Sequence, residues 1–273
     1  MRWTKSACAP LQTRPHALTA LALIWTFAFA CACACASPKL RLVGSELVVE
    51  DGENRVRGPA VKGARITLPG LGELVVSSAM RDHSSRFGDV WLYELSGPDG
   101  SICHADSGGD TRLVFFPGYF DHHRRYRADH ARISLSCVAG VQAKCLRWGY
   151  APWQQAPTSG ESLAPYFEAC LQLTRADYCA DDRPQTREGT AIDIYDRVGV
   201  QQPLDEPGRM SFEAGWTPLG AVCVHHTRIS ERLATDQVSK HCPRLDGKVG
   251  LICSESRARE SGALLYNRSE PNR

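Results

Sequence analysis

Most signatures that would name a reaction are missing from this chain. It holds no G-x-S-x-G, no Walker motif and no G-x-G-x-x-G. These absences remove the hydrolase nucleophile elbow, the phosphate-binding loop and the dinucleotide-binding turn as routes to a function. After residue 36 there is no C-x-x-C, which argues against a thioredoxin-type redox motif and against zinc ribbons. An excess of one charge is also lacking. Arg2, Lys5 and Arg14 account for three of the 32 Lys+Arg, so residues 37–273 carry 29 against 30 Asp+Glu. A near-neutral protein has no global field to draw nucleic acid or an anionic membrane. No internal repeat is visible.

What is present begins with the first 36 residues. No acidic residue precedes Glu46, three basic residues stand at the start, and Ala17 to Ala30 is apolar apart from two threonines. Ala34-Cys35-Ala36 then fits the A-x-A rule. A basic region, a short apolar run and small residues at the end make a secretory signal peptide, cut before Ser37. Two rival readings share the segment. Ala17 to Ala36 is just long enough to span a bilayer uncleaved. A lipid anchor on Cys31, Cys33 or Cys35 would need a branched aliphatic residue three places earlier, and Ala28, Ala30 and Ala32 stand there.

Beyond that cut lie eight cysteines: Cys103, Cys137, Cys145, Cys170, Cys179, Cys223, Cys242 and Cys253. An even count in an exported chain reads as a disulfide framework, so all eight are expected to pair. The chain is long enough to bury a core, and bridges would supplement packing at about 2–4 kcal/mol each. Asp246-Gly247 favours a tight turn between Cys242 and Cys253. If the other six pair among themselves, these two join each other and close a small C-terminal hairpin.

The expected fold is α+β. Residues 39–116 read as short strands at Leu40–Val43, Glu46–Val49, Glu73–Ser77, Asp89–Leu95 and Arg112–Phe116, parted by Pro/Gly/Asp turns. Ala131–Cys137 alternates as a strand, Val141–Trp148 reads as a short helix, and Leu219–His226 is a further strand. The principal helix is expected at about 162–178. Ser162 is its N-cap, Pro165 lies in the first turn, and Leu163, Tyr166, Phe167, Cys170, Leu171 and Leu173 recur at helical spacing. The organisation expected is a signal peptide at 1–36, an N-terminal β region at 37–84, a disulfide-laced domain at 85–253, and a mostly disordered tail at 254–273.

Four groups of residues could carry chemistry. Asp177, Asp181, Asp182, Glu188, Asp193 and Asp196 place six carboxylates within 20 residues. Calcium wants six to eight oxygens, but the EF-hand spacing fails because Cys179 stands where the second acid belongs. Asp177 instead suits acceptance of backbone N–H groups in the turn after the helix. The segment Asp121 to His130 holds three histidines among three arginines, without zinc spacing, and reads as a solvated loop. His225 and His226 read as structural. The aromatics Trp148, Tyr150, Trp153, Tyr166 and Phe167 could line a ligand groove, and otherwise belong to the core. No catalytic residue, metal or cofactor is assigned.

From Ala139 onward a series of motifs resembles the ADYC domain, a bacterial family named for an Ala-Asp-Tyr-Cys run. They are Ala143-Lys-Cys145, Trp148-Gly-Tyr150 with Pro152-Trp153, Glu168-Ala-Cys170, and Arg175-Ala176-Asp177-Tyr178-Cys179. Thr186-Arg-Glu-Gly-Thr190 with Ile192-Asp193, Tyr195-Asp196, Glu213-Ala-Gly-Trp216 and Gly220-Ala-Val-Cys223 follow. The likeness spans roughly residues 85 to 228. It implies a bacterial exported or envelope protein and no particular activity. Where that family often has glycine after the motif cysteine, this chain has Ala180. The expected function is therefore an exported, disulfide-stabilised module, structural or partner-binding in the cell envelope, with an envelope protein or a glycan as its partner and no nucleic acid. The alternative is an extracytoplasmic hydrolase using Asp177, Asp193 or Asp196.

Overall fold

The computed structural model describes residues 2–3, 39–51, 53–87 and 90–271. The expected signal peptide lies outside them apart from Arg2–Trp3, as does Asp89. Among the described residues no helix is long and apolar enough to cross a membrane.

The expected α+β class holds: the chain builds mostly antiparallel sheets with a few helices and three disulfides. The first sheet runs Arg65–Leu68, Gly72–Arg81, Trp91–Gly97, Leu113–Pro117, Ile133–Cys137. Its Leu113–Pro117 strand is buried on both faces, which is why its apolar run is continuous rather than alternating. Leu113 and Phe115 face a three-stranded meander, Lys39–Val43, Glu46–Asp51 and Asn54–Arg57, through Leu47 and Val49, and Val61 of the turn that follows it. Val114 and Phe116 face the other way, onto the helices. The boundary expected after residue 84 falls between paired neighbours of this sheet.

The principal helix is Ala164–Arg175, preceded by the short helix Val141–Arg147, and the Cys145–Cys170 bridge joins them. Its ends are tighter than the expected 162–178. The Ser162 hydroxyl accepts from Ala164 N at 3.3 Å, so it guards the entry one residue further out than a cap. The helix packs through Phe167 on Phe116 of the first sheet, ring centroids 6.1 Å apart. Its other side buries Cys170 and Leu173 with Ala214, Trp216 and Leu265 of a second sheet. That sheet runs Ile192–Asp196, Leu265–Ser269, Ser211–Thr217, Gly220–Val224. The helix is thus the middle layer between two sheets.

Two expectations about the C-terminus are corrected. Residues 254–271 are not a disordered tail, and the last two residues lie outside the described ones. Ser254 caps a helix at Glu255–Glu260 by accepting from Arg257 N, and Leu265–Ser269 is an inner strand of the second sheet. The few apolar residues there, Leu265 and Tyr266, are fully buried, and two strands satisfy the backbone. Cys253 bonds to Cys223, not to Cys242, so no separate C-terminal hairpin is closed. Gly215 makes this docking feasible, because a Cβ there would come within 2.5 Å of the Ala258 Cβ.

Candidate functional site

Six of the eight cysteines form the bridges Cys103–Cys137, Cys145–Cys170 and Cys223–Cys253. Cys179 and Cys242 are not bridged, which corrects the expectation that all eight pair. Cys179 sits in the turn that follows the principal helix, where the Ala176-Asp177-Tyr178-Cys179 motif meets Glu213, Trp216 and Gly220.

The helix ends on Ala176 in the left-handed region, φ 50°. Ala176 N donates to Leu173 O and Asp177 N donates to Gln172 O, the double bond pattern of a Schellman cap. Asp177 is 1% exposed and folds the next turn. Its Oδ1 accepts from Asp181 N at 3.1 Å and its Oδ2 from Asp182 N at 2.9 Å. Burial pushes its carboxyl upward, and that outweighs the backbone N–H groups and Arg175 nearby. Ala180 and Asp182 also have positive φ. Ala180, at φ 54°, occupies the position where the family often has glycine, the residue that adopts this conformation without a Cβ penalty. Ala180→Gly should raise stability by about 0.5–1 kcal/mol. A higher urea midpoint at unchanged slope would show it, whereas a lower midpoint would mean the turn differs from the one described.

Tyr178 points inward. Its ring stacks on Trp216 with centroids 5.2 Å apart, and its hydroxyl donates to Glu213 Oε1 at 2.9 Å and accepts from Arg228 N at 2.8 Å. Glu213 and Arg228 form a buried ion pair, 0% and 1% exposed, with Nε to Oε2 at 3.1 Å. The remaining polar atoms are satisfied in turn. Arg228 donates to Leu173 O, Thr174 O and the Thr186 hydroxyl, while Asn267 donates to Glu213 Oε2 and accepts from Trp216 Nε1. Burial alone would raise the Glu213 carboxyl. The Arg228 guanidinium, with Asn267, outweighs it and holds the group below the usual carboxylate range. Burial, with Glu213 beside it, pushes the Tyr178 hydroxyl well up, so it stays a neutral donor.

The Gly220–Val224 strand closes on this turn. Ala221 N donates to Tyr178 O at 3.0 Å, and a Cβ on Gly220, φ 92°, would lie 2.6 Å from that same oxygen. Arg244 reinforces the join by donating to Tyr178 O and Ala221 O.

The proposed hydrolytic carboxylates are not brought together. Asp193 accepts from Leu204 N and pairs with Arg268 at 3.3 Å. Asp196 accepts from Tyr150 hydroxyl, Val198 N, Val200 N and Gln201 N. The six acids of the calcium reading do not converge either. Asp181 alone among them joins a group of side chains close enough to hold a metal, with Cys179 and His241. Of the aromatics, Tyr150, Tyr166 and Phe167 are core and the two tryptophans are half-buried. His122 and His123 lie at an exposed loop tip that Asp121 folds through His123 N and Arg125 N. His225 is tied to Cys253 O and His226 to the Ser211 hydroxyl.

A cleft of about 670 Å³ opens beside the Asp177 turn. Phe120, Val141, Leu171 and Leu219 line its apolar part, and Arg124, Arg125 and Arg175 stand on its rim. The rim arginines are held by acids: Arg124 and Arg175 by Asp182, Arg125 by Glu168 at 2.6 Å. Sequence reasoning named neither Arg228 nor His241. Arg228 lies outside every recognised motif, and His241 acquires a role only through the fold.

A disulfide-stabilised α+β module built around one buried ion pair is therefore the class of protein defined here. A family model described as ADYC domain matches residues 39–230, and the chain belongs to that family. The match reaches back through the first sheet and the meander, well before the motifs that carried the resemblance. No curated protein and no solved structure matches the chain.

Proposed function

We propose that the protein is an exported module that binds a partner protein in the cell envelope through the cleft beside the Ala176-Asp177-Tyr178-Cys179 turn. The observation that carries this reading is how the motif residues are used. Asp177, Asp193, Asp196 and Glu213 are each bonded to backbone amides, arginines, a tyrosine hydroxyl or an asparagine, and no two of them share the cleft as an acid–base pair would. Their work is to fix a surface. Three bridges make that surface stiff, as suits a chain living in an oxidising compartment. A protein segment fits the cleft better than a glycan does. Its lining is aliphatic with one phenylalanine and a charged rim, while Tyr150, Tyr166 and Phe167, which could have stacked on sugar rings, are in the core.

The test has two arms. The full chain expressed in a bacterium should fractionate outside the cytoplasm, with an N-terminus at Ser37. Unprocessed chain in the cytoplasm would defeat the export half. A photo-crosslinking residue in place of Leu219, which is 64% exposed on the lip of the cleft, should trap an envelope protein. The same residue at Leu251, exposed and outside the cleft lining, should not. Equal trapping at both positions would defeat the binding half.

A further inference from the structure

The two cysteines outside the bridges are neighbours, and they have company. Cys242, next to His241 in sequence, neighbours Cys179 but is not among the side chains that converge on it. The Cys179 sulfur, the Asp181 carboxylate and a ring nitrogen of His241 all lie within 4.8 Å of one another. His241 Nε2 is 3.4 Å from Asp181 Oδ2. The donors come from two segments of fixed shape. Asp177 folds the turn that carries Cys179 and Asp181, and the short helix Val238–His241 delivers His241. Cys242 is buried, Cys179 and His241 are half-buried and Asp181 is exposed, so the group is open to solvent on one side.

We propose that Cys179, His241 and Asp181 form a zinc site that fastens the Ala-Asp-Tyr-Cys turn to the C-terminal segment. A thiolate, an imidazole and a carboxylate are sulfur, nitrogen and oxygen donors that zinc takes, and a water would complete a four-coordinate site. Binding would release one proton, from the Cys179 thiol, to solvent. The rival is a fourth disulfide between Cys179 and Cys242. It would account for the two sulfurs, and it would leave His241 paired with Asp181 and Asp181 with Arg183. The zinc reading does not depend on the partner-binding proposal, and either can fail alone.

The experiment uses the full chain and two metals. After incubation with zinc and dialysis, elemental analysis should find one zinc per chain. With cobalt(II) as the probe, the spectrum should show tetrahedral d–d bands and thiolate-to-cobalt charge transfer. His241→Gln and Asp181→Asn keep volume and should each weaken cobalt binding by at least ~100-fold, beyond what loss of an outer-shell partner does. Cys179→Ser should abolish the thiolate charge transfer, and Cys242→Ser should leave it in place. Glu188→Gln, on an exposed loop away from the site, should change nothing. A chain isolated with Cys179 and Cys242 oxidised is tested after mild reduction of that bridge, the other three being verified intact by mass. Failure to bind cobalt in the reduced form overturns the proposal, as does cobalt binding that His241→Gln and Asp181→Asn leave unchanged.

Discussion

A chain ended after Ser254 is expected not to fold, although it retains every cysteine and every recognised motif. The cut removes the Leu265–Ser269 strand, which hydrogen-bonds on both sides, to Ile192–Asp196 and to Ser211–Thr217. Leu265 and Tyr266 are fully buried, each worth about 1.5–3 kcal/mol in apolar burial. Asn267 is buried too, and without it Trp216 Nε1 loses its acceptor and Glu213 Oε2 loses a donor. Orphaned buried polar groups cost about 1–3 kcal/mol each. The backbone groups left bare in the middle of the sheet add more. The sum reaches the roughly 5–15 kcal/mol by which a whole domain is stable. Near-UV circular dichroism and urea unfolding should show no cooperative transition in the truncated chain. A companion chain ended after Glu270 should unfold like the full one, since the inner strand is then complete. Cooperative melting of the shorter chain near the full-length temperature would show that the strand is an accessory.

That strand also shows where the sequence was legible. Most of the first sheet (though not Arg65–Leu68), the two helices and the Gly220–Val224 strand could be read because their apolar residues recur at period 2 or 3.6, or form one dense run between turns. The Leu265–Ser269 segment has no such signal. Its inward positions include Asn267 and Ser269, so it looks polar and disordered. It is held by partners that are remote in sequence: Tyr195, Trp216 and Glu213. The same physics hid the centre of the candidate site. The Ala-Asp-Tyr-Cys motif was visible, and its aspartate could be assigned to the turn from its position at a helix end. Arg228 could not be found, because a buried arginine is recognised only by its partner, and Glu213 stands in another element. Cysteine pairing failed for a similar reason. The Asp246-Gly247 dipeptide is real turn chemistry, but the chain there enters short 3₁₀ turns at Pro243–Leu245 and Gly250–Ile252. Those turns carry Cys253 across to Cys223.

Arg228→Met should cost about 3–5 kcal/mol, the usual effect of removing one partner from a buried ion pair. The side chains are of similar length, so little of this is lost packing. The larger part is the Glu213 carboxylate left charged in the interior, and the Leu173 and Thr174 carbonyls left without the guanidinium. The double variant Arg228→Met/Glu213→Gln should recover part of the loss, because no buried charge remains and Gln can still accept from Tyr178. The pH dependence separates this account from a simple packing defect. In the native protein the Glu213 carboxyl is held below its ordinary value. Its contribution is therefore complete above the usual carboxylate range and is lost as pH falls through the depressed folded value. In Arg228→Met, burial acts on Glu213 without the guanidinium, and its carboxyl should rise above the unfolded value. The variant should then gain stability as pH falls through that raised value, opposite in sign to the native contribution. Urea unfolding of both chains across the acid range measures the two slopes. If the gap between native protein and variant stays constant from neutral to acid pH, the ion pair is not what Arg228 supplies, and the Ala-Asp-Tyr-Cys tyrosine is anchored by shape alone.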